Sequence, residues 1–154
     1  MVDRPLVLGG VIIPHHRGLE GHSDADVLLH AVCDALLGAA GRGDIGRHFP
    51  DTDSQYEGIQ STKLLAQVFQ MIVKDGYMVG NVDAVIITEA PKLAPHIPAM
   101  RARIARILVI DESDVSVKAT SNEKMGFVGR EEGMAVIATV LVYKDDGTIA
   151  STDQ

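Results

Sequence analysis

One stretch constrains the fold more than any other, residues 21–53, which read GHSDADVLLHAVCDALLGAAGRGDIGRHFPDTD. Apolar residues recur in it at helical spacing, which predicts an amphipathic helix with one buried stripe. Ser23 is the predicted N-cap, with Asp26 three residues further on as in a capping box. Glycines at 38, 41 and 43 are expected to end the helix. The stripe consists of Val27, Leu28, Ala31, Val32, Ala35 and Leu36.

The polar face of this helix carries an imidazole between two carboxylates. Asp26, His30 and Asp34 are spaced at i, i+4 and i+8 and so share one side. The pattern indicates a metal or catalytic site, but it also fits a core histidine and acidic residues that complement the positive helix N-terminus. A second acidic cluster, Asp44, Asp51 and Asp53, follows and could equally be made of turn residues.

Composition and charge narrow the class of protein. The 154 residues suit a single domain, 1–154, with a sizeable core. A formal net charge of −7 disfavours nucleic acid as a partner, because phosphate backbones bind basic surfaces. No apolar run is long enough to span a bilayer, and no basic-then-apolar signal segment opens the chain, so we expect a cytoplasmic protein without a membrane partner.

The order of the remaining segments predicts an α/β domain with a mixed sheet and helices on one face. Pro5–Ile13 is the first predicted strand, with a bulge or tight turn at Gly9 and Gly10. The tail from about 144 to 154 is expected to be flexible. Further helices are predicted at 62–75, capped by Ser61, and at 98–108, and further strands at 77–79, 81–88, 114–119 and 134–143.

Two loops that follow predicted strands carry groups suited to phosphates, and ligands bind at such positions in α/β folds. The loop at 120–123 offers two hydroxyls, backbone N–H groups and the Glu123 carboxylate. Together these could hold a diphosphate and a divalent cation, Mg²⁺ or Mn²⁺. The proline-rich loop at 89–96 contains Lys92, a possible contact for a nucleotide. Taken alone, each loop also fits an ordinary solvated turn.

Three segments together resemble the family of 2-C-methyl-D-erythritol 2,4-cyclodiphosphate synthases. They are the stretch at 21–53, GNVDAVIITEAPKLAPHIPAMR and VKATSNEKMGFVGREEG, and the likeness runs from about 4 to 143. It implies a homotrimer with active sites between neighbouring subunits. It also implies an activity: 4-diphosphocytidyl-2-C-methyl-D-erythritol 2-phosphate is cyclised to the 2,4-cyclodiphosphate when its 2-phosphate attacks the β-phosphorus, and CMP leaves.

The resemblance also implies a role for individual residues. His30 would be a ligand of a zinc ion, and Glu123 would hold Mg²⁺ or Mn²⁺. His22 and Ser121 would be catalytic, and His22 and Ser23 would contact the substrate phosphate. The methylerythritol part would be bound by Asp44, Ile45, Gly46, Phe49, Pro50, Asp51, Thr52 and Asp53. The cytidine would be bound by Thr88, Glu89, Ala90, Pro91, Lys92, Leu93 and Ala94, the diphosphate by Thr120, Ser121, Asn122 and Glu123, and Phe127 and Arg130 would lie near the trimer axis.

The sequence departs from the family pattern in three places. An Asp-x-His pair that completes the zinc site precedes the first strand in the family, whereas this sequence has Met1-Val2-Asp3-Arg4-Pro5. Three explanations are open: a longer natural N-terminus, a variant that works with Mg²⁺ or Mn²⁺ only, or a fold that has kept its nucleotide pocket without turnover. The last would be a zinc-free trimeric binding module for a cytidine nucleotide or an isoprenoid diphosphate.

A metal-dependent phosphohydrolase of other diphosphates is a weaker alternative, because the cytidine-type loop around Lys92 speaks against it.

The second departure is Glu131, where the family usually has glycine after the arginine. Its carboxylate is expected either to pair with Arg130 or to be solvated. A further difference is Ser121, which stands where a threonine is usual and keeps the hydroxyl.

Overall fold

The computed structural model describes residues 4–18, 25–50 and 60–145. Two short strands open the chain and a three-stranded sheet with flanking helices follows, so the predicted α/β architecture is confirmed. The elements are β1 (Leu6–Leu8), β2 (Val11–Ile13), α1 (Val27–Ala39), α2 (Ile45–His48), α3 (Ser61–Lys74), β3 (Tyr77–Ile87), α4 (Ile97–Leu108), β4 (Val115–Thr120), α5 (Gly126–Gly129) and β5 (Ala135–Lys144).

The main sheet is mixed, as predicted, with the strand order β4-β3-β5. β3 pairs with β4 in parallel and with β5 in antiparallel orientation. Val82, Ala84 and Ile86 on β3 are buried, and the residues between them are more exposed. Because side chains alternate across a strand, one face of the sheet packs on the helices in the core. The opposite face exposes Ile137 and Leu141 at 61% and 60%.

The predicted strand over Pro5–Ile13 is wrong, because the segment is a hairpin of β1 and β2. Gly9 and Gly10 form its two-residue turn, with φ of 61° and 76°. Positive φ at both turn residues matches the right-handed twist of the flanking strands and favours glycine. A Cβ at either position would also lie 2.8 Å from a neighbouring side chain, Met100 or Thr62. The tight-turn alternative is therefore correct and the bulge is not.

The predicted N-cap at Ser23 is also wrong, because α1 begins at Val27 with Asp26 at its N-cap. Asp26 is fully buried and its carboxylate accepts three backbone N–H groups. Oδ1 accepts from Leu29 at 3.0 Å and from Gly9 at 2.9 Å, and Oδ2 accepts from Gly10 at 2.7 Å. This carboxylate caps the helix and holds the hairpin turn against it.

Two smaller differences concern the middle of the chain. β3 is one strand from Tyr77 to Ile87 with a register shift between Val79 and Asn81, where two strands were predicted. α3 has Gln60 and not Ser61 at its N-cap. Gly76, with φ of 91°, follows α3 as predicted. No helix in the described part of the chain is both long and apolar enough to cross a membrane.

Candidate active site at the ends of two parallel strands

Two loops singled out by the sequence begin side by side. β3 and β4 are parallel, so their carboxyl ends lie at the same edge of the sheet, and their last paired residues are Ile87 and Thr120. One further bond joins the strands beyond this pair, from Thr88 N–H to Thr120 C=O at 2.9 Å. We call residues 88–94 the first strand-end loop and residues 120–123 the second. Open α/β sheets bind ligands at such an edge.

A side-chain hydrogen bond and one buried apolar residue hold the first strand-end loop in place. Thr88 is buried and its hydroxyl donates to the C=O of Ala90 at 2.8 Å. The Ala90–Pro91 peptide is cis. Leu93 is buried in the core, whereas Lys92 is exposed. The loop is therefore anchored at both ends and presents a cation to solvent.

The second strand-end loop turns sharply and exposes a hydroxyl and a carboxylate. Ser121 and Glu123 are both exposed, and the Ser121 hydroxyl accepts from the N–H of Glu123 at 3.3 Å. Glu123 and Lys124 have φ of 52° and 60°, a left-handed conformation that is uncommon without glycine. The Asn122 side chain donates to Met125 C=O at 2.7 Å. A hydroxyl and a carboxylate are thus presented on a constrained turn.

One contact joins the two loops through a side chain. Oε2 of Glu89 in the first loop accepts from the N–H of Asn122 in the second at 2.6 Å. A bond to an ionised acceptor is short and strong compared with one between neutral groups. This bond could not be predicted from the sequence, because its partners are far apart in the chain and Glu89 follows the strand like any loop residue.

The polar face of α1 exists as predicted, but its carboxylates bind backbone amides. Asp26 holds the hairpin turn, and Oδ1 of the exposed Asp34 accepts from Ile45 N–H at 2.8 Å. His30 is half-buried and its Nε2 lies 2.9 Å from Oγ of Ser61, the first residue of α3. Sequence reasoning missed this partner, because it assigned Ser61 to helix capping only.

This arrangement does not make a complete zinc site within residues 4–18, 25–50 and 60–145. No three or more His, Cys, Asp or Glu side chains gather there in a way that could hold a metal ion. A catalytic zinc normally has three protein ligands, and the described chain offers His30 alone for this role. Cys33, in the same helix, is fully buried, and burial raises the pKa of its thiol, so it is a core residue.

The predicted methylerythritol segment is partly described and forms a short helical turn. Asp44 caps α2, its Oδ1 accepting from Arg47 N–H at 2.9 Å. Phe49 packs against the core while Gly46 is exposed. Ile45 and Pro50 are half-buried. His22, Ser23, Asp51, Thr52 and Asp53 lie outside the described residues, and their roles stay predictions.

In the segment expected near a trimer axis, Arg130 pairs with Glu132 and not with Glu131. The Arg130 guanidinium pairs with Glu132 at 2.8 Å and lowers the pKa of that carboxyl. Pairing of Arg130 with Glu131 is therefore wrong, and the alternative of an exposed Glu131 is correct. Glu131 has a φ of 59°, which explains why glycine suits this position. Phe127 is about half exposed.

Comparisons with known proteins agree with one another. The model of the YgbB family matches residues 1–143. The 2-C-methyl-D-erythritol 2,4-cyclodiphosphate synthase of Bacillus velezensis is 59% identical, over 92% of this chain and 89% of its own length. The synthase of the same name from Chlorobium phaeobacteroides is 60% identical, over 90% of this chain and 87% of its own.

Solved structures with the same fold include nucleotide complexes. A CDP-bound 2C-methyl-D-erythritol-2,4-cyclodiphosphate synthase is similar with a TM-score of 0.85, at 31% identity over 93% of both chains. The bifunctional IspDF from Campylobacter jejuni is similar with a TM-score of 0.91 and 44% identity, over 95% of this chain. This chain spans 40% of that longer protein.

Proposed function

This chain belongs to the YgbB family, and on that premise we propose that it is a cyclodiphosphate synthase that releases CMP. Its substrate would be 4-diphosphocytidyl-2-C-methyl-D-erythritol 2-phosphate. An oxygen of the 2-phosphate would attack the β-phosphorus, and the bond from that phosphorus to the oxygen bridging it to the α-phosphorus would break. The observation that carries the proposal is the pair of strand-end loops that begin at Thr88 and Thr120.

The two loops offer what phosphoryl transfer requires, which is chiefly positioning and compensation of charge. The first strand-end loop would bind the cytidine through its backbone groups, with Lys92 beside the nucleotide. The second would bind the diphosphate. Because the Ser121 hydroxyl accepts from Glu123 N–H, its own proton is available to donate to a phosphate oxygen. In the proposed mechanism a hydroxyl donor would then lie beside the charge that forms as CMP leaves.

Glu123 suits one of the two proposed metals. Mg²⁺ is commonly held by one or two carboxylates together with substrate phosphates and water, so a single exposed carboxylate next to a diphosphate site is a sufficient protein contribution. When bound, Mg²⁺ or Mn²⁺ would offset the charge of the diphosphate. Zinc stays proposed at His30 alone, and we assign no step to it, because the described residues do not complete its ligands.

The outer face of the main sheet supports the proposed homotrimer. Ile137, Leu141 and Tyr143 on β5 are exposed apolar side chains, and Ile137 pairs with the half-buried Val85 of β3. Exposed apolar side chains gathered on one face of a sheet commonly mark an interface between subunits. In the proposed trimer the active sites lie between neighbours, and Phe127 and Arg130 lie near the axis. Solution scattering is expected to give about three times the 16.5 kDa of one chain, and a monomeric mass would contradict the proposal.

A binding module without turnover is the second candidate, and the incomplete zinc site is the observation that favours it. One experiment separates the two. Purified protein is supplied with Mg²⁺ and the cytidine-linked substrate, CMP release is followed, and zinc is measured by elemental analysis. We expect CMP release together with CDP binding. CDP binding without CMP release would identify a binding module, and failure of both would reject the nucleotide site altogether.

A cytoplasmic location and the absence of a nucleic-acid partner stay predictions.

A further inference from the structure

Glu89 belongs to the first strand-end loop, but its carboxylate is directed at the second. The bond from Asn122 N–H to Oε2 measures 2.6 Å and joins residues 33 positions apart. Both residues are half-buried, so the bond is partly shielded from water. A carboxylate engaged in this way contributes its charge to a backbone amide of the protein. It is therefore less available to contact the cytidine directly, which is the role that the resemblance implies for it.

The second loop adopts a conformation that needs support. Left-handed backbone at non-glycine residues persists only where the surroundings impose it, and Glu123 and Lys124 adopt it in succession. Three hydrogen bonds frame the turn: Asn122 N–H to Glu89, the Asn122 side chain to Met125 C=O, and Met125 N–H to Asn122 C=O. Of these three, only the bond to Glu89 comes from outside residues 120–126.

The framed segment is also the one that carries the proposed chemistry. Asn122 lies between Ser121 and Glu123, so fixing its amide fixes the backbone on both sides. Ser121 Oγ in turn accepts from Glu123 N–H, which ties the hydroxyl to the same turn. Small displacements of catalytic groups are costly, because catalysis depends on geometry that is set before the substrate binds.

We propose that Glu89 is a positioning residue that couples the two strand-end loops. Its carboxylate holds the Asn122 amide, and thereby keeps the Ser121 hydroxyl and the Glu123 carboxylate where the diphosphate binds. This inference rests on the proposed function. It assigns Glu89 to the alignment of the diphosphate, in contrast to the cytidine contacts of its neighbours in the first loop.

The test compares CMP with CDP, which differ by the β-phosphate. In Glu89→Ala we expect CMP affinity to stay within about twofold of wild type. CDP affinity and kcat should each fall by about tenfold, which is the effect of losing one hydrogen bond to a charged group. Amide hydrogen exchange over residues 120–126 should be faster. Glu89→Gln keeps an acceptor oxygen and should recover most of the loss. Glu112→Ala removes an exposed carboxylate elsewhere and serves as the matched control.

Glu89→Asp keeps the charge but shortens the side chain by one methylene, and it decides the matter if Glu89→Ala fails to fold. It should show the same selective loss for CDP. An equal loss of CMP and CDP affinity in either variant would overturn the inference, because it would show direct contact with the nucleotide. Unchanged exchange over residues 120–126 would overturn it as well. If the wild type binds CDP but releases no CMP, the proposed activity fails, while the CMP and CDP affinities and the exchange rates still test Glu89.

Discussion

Two carboxylates in different regions of this protein differ in their partners, and the comparison separates a structural acid from one that is available to a ligand. Asp26, beside the β1–β2 turn, is fully buried and accepts three backbone N–H groups. Glu123, three residues after the end of β4, is exposed on left-handed backbone. In the sequence both acids stand near a histidine or a hydroxyl and look alike. The environment of each carboxylate, and not its type, indicates its role.

The largest effect is expected for Asp26→Ala. The substitution leaves the N–H groups of Gly9, Gly10 and Leu29 without their carboxylate, and unsatisfied buried donors are costly. We expect the free energy of unfolding to fall by about 3–5 kcal/mol, because each of the three unsatisfied donors costs about 1–3 kcal/mol; urea denaturation measures the change. Asp34→Ala, at an exposed carboxylate with one such bond, is the control and should cost about 1 kcal/mol. Equal costs would contradict the role of Asp26 as an anchor.

Glu123→Gln should show the opposite behaviour. Stability is expected to change by no more than about 0.5 kcal/mol, because the side chain is exposed. CMP release should fall by about 100-fold, and the Mg²⁺ concentration for half-maximal rate should rise, because an amide is a poor ligand compared with a carboxylate. The checks are thermal unfolding and a Mg²⁺ titration of the rate. A normal titration would remove Glu123 from the proposed metal site.

Ser121→Ala tests the hydroxyl beside that carboxylate. We expect kcat to fall by about tenfold, the effect of one hydrogen bond to a charged group. CMP affinity should stay the same, because the proposed cytidine contacts belong to the other loop. Ser121→Thr keeps the hydroxyl and should retain nearly full activity. If Ser121→Ala weakens CMP binding as much as it slows turnover, the division of labour between the two loops is wrong.

The smallest effect is expected for Glu131→Gly, and its sign is the informative part. A left-handed residue other than glycine costs about 1–2 kcal/mol, and glycine loses part of that gain through its flexibility in the unfolded chain. We therefore expect a stabilisation of about 0.5–1 kcal/mol in thermal unfolding. Glu112→Gly, in the 3₁₀ turn before β4, should destabilise. A destabilising Glu131→Gly would show that the carboxylate has a favourable contact.

The sequence was most informative where a pattern is local. Helical periodicity located α1, α3 and α4, and the β-branched run located β3. It failed where a distant group decides the outcome. The N-cap is Asp26 and not the predicted Ser23, because the hairpin turn of Gly9 and Gly10 supplies two further donors to the Asp26 carboxylate. Periodicity along one segment cannot reveal a donor from another.

The candidate site shows the same contrast between local patterns, which the sequence reveals, and contacts between distant segments, which it does not. The composition of the strand-end loops pointed to phosphate chemistry, and the parallel pairing of β3 with β4 brings those loops together. The bond between Glu89 and Asn122 and the contact between His30 and Ser61 could not be predicted, because each joins segments that meet only in the folded chain. The pairing of Arg130 with Glu132 was missed although the residues are close in sequence, since two neighbouring glutamates were available.

The strand order has a consequence for synthesis of the chain. β3 lies at the centre of the sheet, yet both of its partners, β4 and β5, follow it in sequence. Chains emerge from the ribosome with the N-terminal part first, so β3 is made with both edges unpaired. Its parallel partner cannot join before α4 has crossed the sheet. The edge that carries the candidate site is thus among the last parts to form, and an interrupted chain that ends before β4 exposes a Val- and Ile-rich strand to other chains.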